Sequence, residues 1–445
     1  MIPKKKIFLP GDLLRSWIPP FGILFGLGAF SFSWILMIAG GIMTSPDSEI
    51  PLRFQLAWIH TLAIGFFTVT ALSVLFHVMP AFTGTSWKNE KPARKMLPVL
   101  ALGFIGITGF FLGGFSPLWL WGFPLAAGAI LVWGILFFQS SLAGIGGRAH
   151  QRPPLASFLL PAGFLMATAA LGLAMGLRLG APPPPAWIYS RGIPVHMAMG
   201  LLGWLTMLLW TVSSRTQGPI LGTRSSHPSR IPVALGLLAV GLAVFLPGQL
   251  FFSGMLRTGG VLLIASGALV YLLESVSLLL RASSPHPVLW AWWTTGIAGL
   301  FASLATGATL FLTDSGISRN LFVYLVLAGW IQPFLLGHLH QIGVRLLATL
   351  VRGPEDETPP SRLLSSPHAW GFWALYLSAF AAGLIGIGQQ NGTGLEIAGT
   401  LGILSAILLF HHLYRMIGRC RNLPATQPHP ATFIRFPESS SDRTR

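Results

Sequence analysis

The chain has 445 residues, of which 53% are apolar and only 9% are Asp, Glu, Lys or Arg, and its mean hydropathy is +0.68. A water-soluble domain covers itself with about a quarter charged residues, so an ordinary soluble fold is excluded. Apolar runs of about twenty residues or more also exclude a transmembrane barrel, whose strands need only about ten. The net charge of +16 sits in short loops between apolar blocks. That distribution argues for a lipid bilayer as the partner and against nucleic acid.

Residues 1–15, with Lys4, Lys5 and Lys6, form a basic leading segment with no small-residue cleavage site after the first apolar run, so the first span is expected to stay uncleaved. Twelve spans are predicted at 16–43, 53–82, 96–114, 117–139, 155–180, 193–214, 231–252, 256–281, 288–313, 320–350, 368–388 and 392–417. The expected fold is all-α and polytopic, with one transmembrane domain over 16–417. Loops after even-numbered spans carry Lys88, Lys91, Arg94, Lys95, Arg148, Arg152, Arg215, Arg224, Arg230, Arg281, Arg352 and Arg362. Both termini are therefore expected in the cytoplasm of a cell whose inner (plasma) membrane holds the chain. Arg53, Arg178, Arg191, Arg257 and Arg319 break this pattern at outer ends of spans, where they either snorkel to lipid phosphates or bind something anionic. The segment 418–445 is expected to be a cytoplasmic tail, Pro-, Ser- and Thr-rich from Asn422 and disordered.

Spans two, six and ten share a core: Ala63-Ile64-Gly65-Phe66-Phe67-Thr68, Leu201-Leu202-Gly203-Trp204-Leu205-Thr206 and Leu327-Ala328-Gly329-Trp330-Ile331-Gln332. A Gly-aromatic pair recurring every fourth helix predicts three pseudo-symmetric four-helix arcs. The glycine has two uses, close helix packing or a flat surface for a macrocycle.

Histidine inside a span is costly without a partner, so each one is a functional hypothesis. His60 and His196 precede Gly65 and Gly203 and fall at similar outer depth. Either alone is explained by an interhelical hydrogen bond; both at the same place in a repeat favour a ligand pair. His338 and His340 are two residues apart, about 200° around a helix, so they serve different sites. With His77, His411 and His412 they make an expected inner cluster, for which histidines solvated at the interface are the alternative. Cys420 is the only cysteine, which excludes a disulfide, covalent haem and a thiolate-bridged metal site. The available donors point to non-covalent b-type haem, with copper second. The metal candidates are His60, His196, His338 and His340; His77, Arg53 and Arg191 are added as cofactor contacts, the arginines for haem propionates. Glu274 is the one carboxylate well inside a span, either a proton relay or the partner of a neighbouring group.

The run HTLAIGFFTVTALSVLFHVMPAFTG from His60 to Gly84 resembles the haem-copper oxidase subunit I superfamily, including its NnrS-type haem- and copper-containing branch. The likeness rests on His60, Gly65, Phe66 and Pro80, and on the ending Pro80-Ala81-Phe82-Thr83-Gly84; His196 with Gly200, Gly203, Met207, Arg215 and Gly218 loosely resembles a second NnrS-type segment. It implies electron transfer or the handling of nitric oxide or oxygen, with a cytochrome c or quinol donor and other respiratory subunits as partners. Two departures stand out. Residues 231–252 lack the histidine pair of the oxidase copper site, which puts conventional oxygen reduction in doubt. His338 and His340 also fall at the inner end, whereas the resemblance implies an outer His-x-His pair, so a break at Pro333 or a different haem arrangement is required. A secondary transporter, expected to be colourless, and a non-catalytic metal or haem assembly factor are the rival readings.

Overall fold

The computed structural model describes residues 18–44, 52–83, 87, 89–145, 152–180, 185–223, 227–283, 287–313, 316–344, 346 and 366–422. Among them all regular structure is helical, and twelve helices are long and apolar enough to cross a membrane. They are α1 (Ile18–Ile42), α2 (52–83), α3 (Glu90–Leu112), α4 (Gly122–Ile145), α5 (Arg152–Leu179), α6 (186–221), α7 (Arg230–Leu250), α8 (Gly254–Leu280), α9 (Pro287–Thr313), α10 (316–344), α11 (Ser366–Gly388) and α12 (Gly392–Asn422). Large apolar side chains such as Leu24, Ile105, Ile135, Leu262 and Ile407 face outward around the bundle, where a soluble protein would place charge. The chain is a multi-pass membrane protein.

Several helix ends differ from expectation. α3 starts at Glu90 rather than 96 because Glu90 pairs with Arg94 one turn on, which carries the helix beyond the apolar stretch. α6 begins near 186, and α12 runs through Asn422, five residues into the expected tail, with Arg415, Arg419 and Arg421 on its last turns. Residues 1–17, the loop 347–365 and 423–445 lie outside the described residues.

The helices close into a ring. α12 packs on α1, where Gly399 and Gly402 leave room for the Trp34 backbone and indole. α2, α6 and α10 form the middle, each packed on the helix before it. All three carry a π-helical stretch over the repeat core: Thr61–Thr68, Ala198–Thr206 and Leu325–Ile331. The Trp204 indole N–H donates to Thr68 Oγ1 at 3.0 Å, and the Trp330 indole to Thr206 Oγ1 at 3.5 Å, so α6 is tied to α2 and α10 to α6. The third link of the cycle is missing. Phe66 occupies the tryptophan position and Gln332 the threonine position, and the buried Gln332 amide has no hydrogen-bond partner among the described residues.

A buried amide with neither group paired costs about 1–3 kcal/mol or more. Gln332→Leu, similar in volume, is therefore expected to raise stability by about that amount in a detergent melt, whereas Trp204→Phe lowers it by about 1 kcal/mol. A destabilised Gln332→Leu would mean that the amide has a partner.

The repeat glycines pack helices. The space that a side chain on Gly65 would need is filled by Ala29 and Phe104, on Gly203 by Phe164, and on Gly329 by Phe380. On the basic side of the Trp–Thr links, α2, α6 and α10 line a partly open apolar pocket of about 80 Å³, with Phe67, Thr70, Leu208, Val212, Leu335 and His338 among its walls.

Candidate metal centre

Two groups of histidines lie at opposite ends of the bundle. The end with Lys91, Arg94, Arg215 and Arg281 is called the basic end; the other end carries Arg53, Arg178, Arg191, Arg257 and Arg319.

At the end opposite the basic one, α2 and α6 bring His60 and His196 together, with ring centres 6.3 Å apart and ring planes inclined by 25°. His60 Nδ1 donates to the Leu56 carbonyl at 2.7 Å, which leaves the lone pair on Nε2. His196 Nδ1 is buried with no well-formed hydrogen bond among the described residues, although the Thr168 backbone of α5 lies against the ring. Gly172 of α5 makes room for the His196 ring, and Phe111 of α3 lies 4.8 Å from that of His60. Two imidazoles on one ion have their centres about 5–6.5 Å apart, since each nitrogen sits about 2 Å from the metal. The donor set and spacing fit an ion as they stand. For haem the two donors also suit, but Phe111 and the α5 backbone crowd the pair, so a macrocycle requires them to give way.

Arg53 and Arg191, sought as propionate partners, lie roughly two turns and one turn outward of His60 and His196. Their guanidinium groups stand over aromatic rings, Arg53 over Phe54 at 5.1 Å and Arg191 over Phe252 at 4.2 Å.

At the basic end His338 and His340 diverge, as their spacing requires. His338 Nδ1 donates to Phe334 O at 2.7 Å and Nε2 lies 2.9 Å from the Thr216 hydroxyl, while its ring stacks on Trp293. With both nitrogens engaged, it is poorly placed as a ligand. His340 turns the other way, against Trp292, Phe372 and His412. The inner group thus loses His338 and gains His368, at the start of α11. That residue escapes a reading based on the repeat, because α11 is outside it; its depth beside His411 and His412 was the available signal. The His77 side chain lies outside the described residues, as do His150, His286 and His429.

α10 continues through Pro333, which sits in the first turn after the π-helical stretch, where a missing N–H is tolerated. The break that would carry His338 and His340 outward is absent, and His60 does not meet either of them. Glu274 is buried near the basic end of α8 and pairs with Arg230 at 3.3 Å, so it is a charge-balanced group and not an isolated acid at mid-membrane. This weakens the transporter reading. Among the described residues no group of three or more His, Cys, Asp or Glu converges as a ready metal site.

No family model matches this chain, and no curated protein matches it either.

Proposed function

We propose that this chain is an integral membrane metalloprotein of the haem-copper oxidase subunit I type, in which His60 and His196 hold one redox-active centre for electron transfer or for handling nitric oxide or oxygen. An ion such as copper fits this pair as it stands, whereas b-type haem, the first expectation from the sequence, fits once Phe111 and α5 give way. The reading is carried by one observation: two intramembrane histidines from equivalent helices stand 6.3 Å apart, with a buried ring nitrogen of His196 that has no well-formed hydrogen bond among the described residues. Leaving such a nitrogen dry and unbonded costs stability that ligation would recover. When bound, either metal supplies one-electron chemistry; the protein's part is to fix the two imidazoles and exclude water. The apolar pocket between α2, α6 and α10 supports the gas-handling half, since apolar space of this scale admits small apolar molecules. α7 contains no histidine, so the conventional oxygen-reducing copper site is not part of the proposal. The basic loops support an inner-membrane setting with both termini cytoplasmic.

The test is the absorption spectrum and metal content of the purified full-length protein. A haem Soret band whose pigment leaves with acid-acetone, or about one equivalent of tightly held copper, is expected. A colourless protein without iron or copper, expressed in haem- and copper-replete cells, would overturn the proposal and return the transporter reading to the front.

A further inference from the structure

At the basic end four imidazoles succeed one another from the surface inward. His411 of α12 is exposed; its ring centre lies 5.1 Å from that of His368 of α11. His368 lies 6.3 Å from His412, and His412 6.0 Å from His340 of α10. The two inner members are fixed. His340 is clamped between Trp292 and Phe372, and its Nδ1 donates to Leu336 O at 2.7 Å, which places the lone pair on Nε2. His412 is 1% exposed, and neither of its ring nitrogens has a hydrogen-bond partner among the described residues.

A buried imidazole with neither nitrogen paired is expensive, and the hydrogen bonds of the described residues do not explain it. Each neighbouring pair has the spacing of two imidazoles that share an ion. The rings follow in line and do not surround one point, which suits an ion content with two nitrogens at a time better than zinc, which needs four ligands.

We propose that His340, His368, His411 and His412 form a second metal site, a Cu(I) entry and holding site, in which an ion is taken up at the His411–His368 rim and held by His412 and His340. It is built on α10, α11 and α12 and does not depend on the assignment of His60 and His196.

The test uses full-length protein in detergent, titrated anaerobically with Cu(I) against a competing chelator. A His60→Ala/His196→Ala double variant removes the first centre, so any Cu(I) it retains belongs elsewhere. That variant is expected to keep about one equivalent. Adding His412→Gln should lower the affinity at least tenfold. Because buried substitutions can unfold a helix bundle, His368→Gln and His411→Gln at the more open rim provide the second arm, and they should slow uptake severalfold while the melting temperature stays put. X-ray absorption of the loaded protein should show two nitrogen ligands. Cu(I) affinity unchanged by His412→Gln and by the rim variants would overturn the proposal, and so would tight Zn²⁺ binding without Cu(I) binding.

Discussion

Replacing either His196 or His60 by glutamine is expected to remove the metal centre entirely, with metal content and characteristic absorption falling below about a tenth of the wild-type level. Removing a group that only hydrogen-bonds a ligand weakens metal sites by about 10–100-fold, and loss of one of only two protein ligands should exceed that. Glutamine keeps most of the volume, so the packing of Phe111 and of α5 at Gly172 survives and the melting temperature should move little. The double variant should look like either single one, because two residues sharing one centre are not additive. His338→Gln serves as the internal control: its nitrogens are engaged by Phe334 and Thr216, so the spectrum should persist. If both single variants kept the wild-type metal content, the outer pair would be a stacked histidine contact and nothing more.

The largest stability effect is expected at Gly299. A side chain there would lie inside the van der Waals radius of the Gly329 carbonyl, where α9 and α10 touch backbone to backbone. Neither atom can swing away, so Gly299→Ala must separate the helices and should cost about 3 kcal/mol or more. The reciprocal change is much milder. A β-carbon on Gly329 meets the Phe380 ring at 3.2 Å, and a ring can tilt. Gly28→Ala meets nothing within 4 Å and should fold as the wild type does. Thermal melts of the three variants in one detergent check the order; equal melting temperatures for Gly299→Ala and Gly329→Ala would show that the α9–α10 contact is looser than described.

The fold was legible because composition and run length leave one solution in a bilayer: each backbone polar group must be bonded within its own helix. The repeat was legible too, since Gly65, Gly203 and Gly329 mark the three middle helices, and the shared depth of His60 and His196 followed from counting along them. Other features were hidden for physical reasons. Side-chain direction put His338 against Thr216 and His340 against His412, which spacing could separate but not assign. His368 was overlooked because it meets α10 and α12 only through the packing of α11. Glu274 looked isolated because Arg230 is 44 residues away in sequence and one hydrogen bond away in space. The helix ends were misjudged where arginines and an ion pair extend a helix past its apolar core.

The π-helical stretches of α2, α6 and α10 have a bearing on how this chain tolerates change in length. In an ordinary α-helix, deleting one residue turns everything beyond it by about 100° and would swing a face such as that of His340 away from α12. A π turn holds a surplus residue relative to the α count, so a single deletion within 61–68, 198–206 or 325–331 can be absorbed by reverting that turn to α while both flanks keep their facing. The middle of the bundle, where substitution is most costly, is thus also where loss of one residue is cheapest, and related chains aligned without gaps across these three stretches would misplace the histidines that flank them.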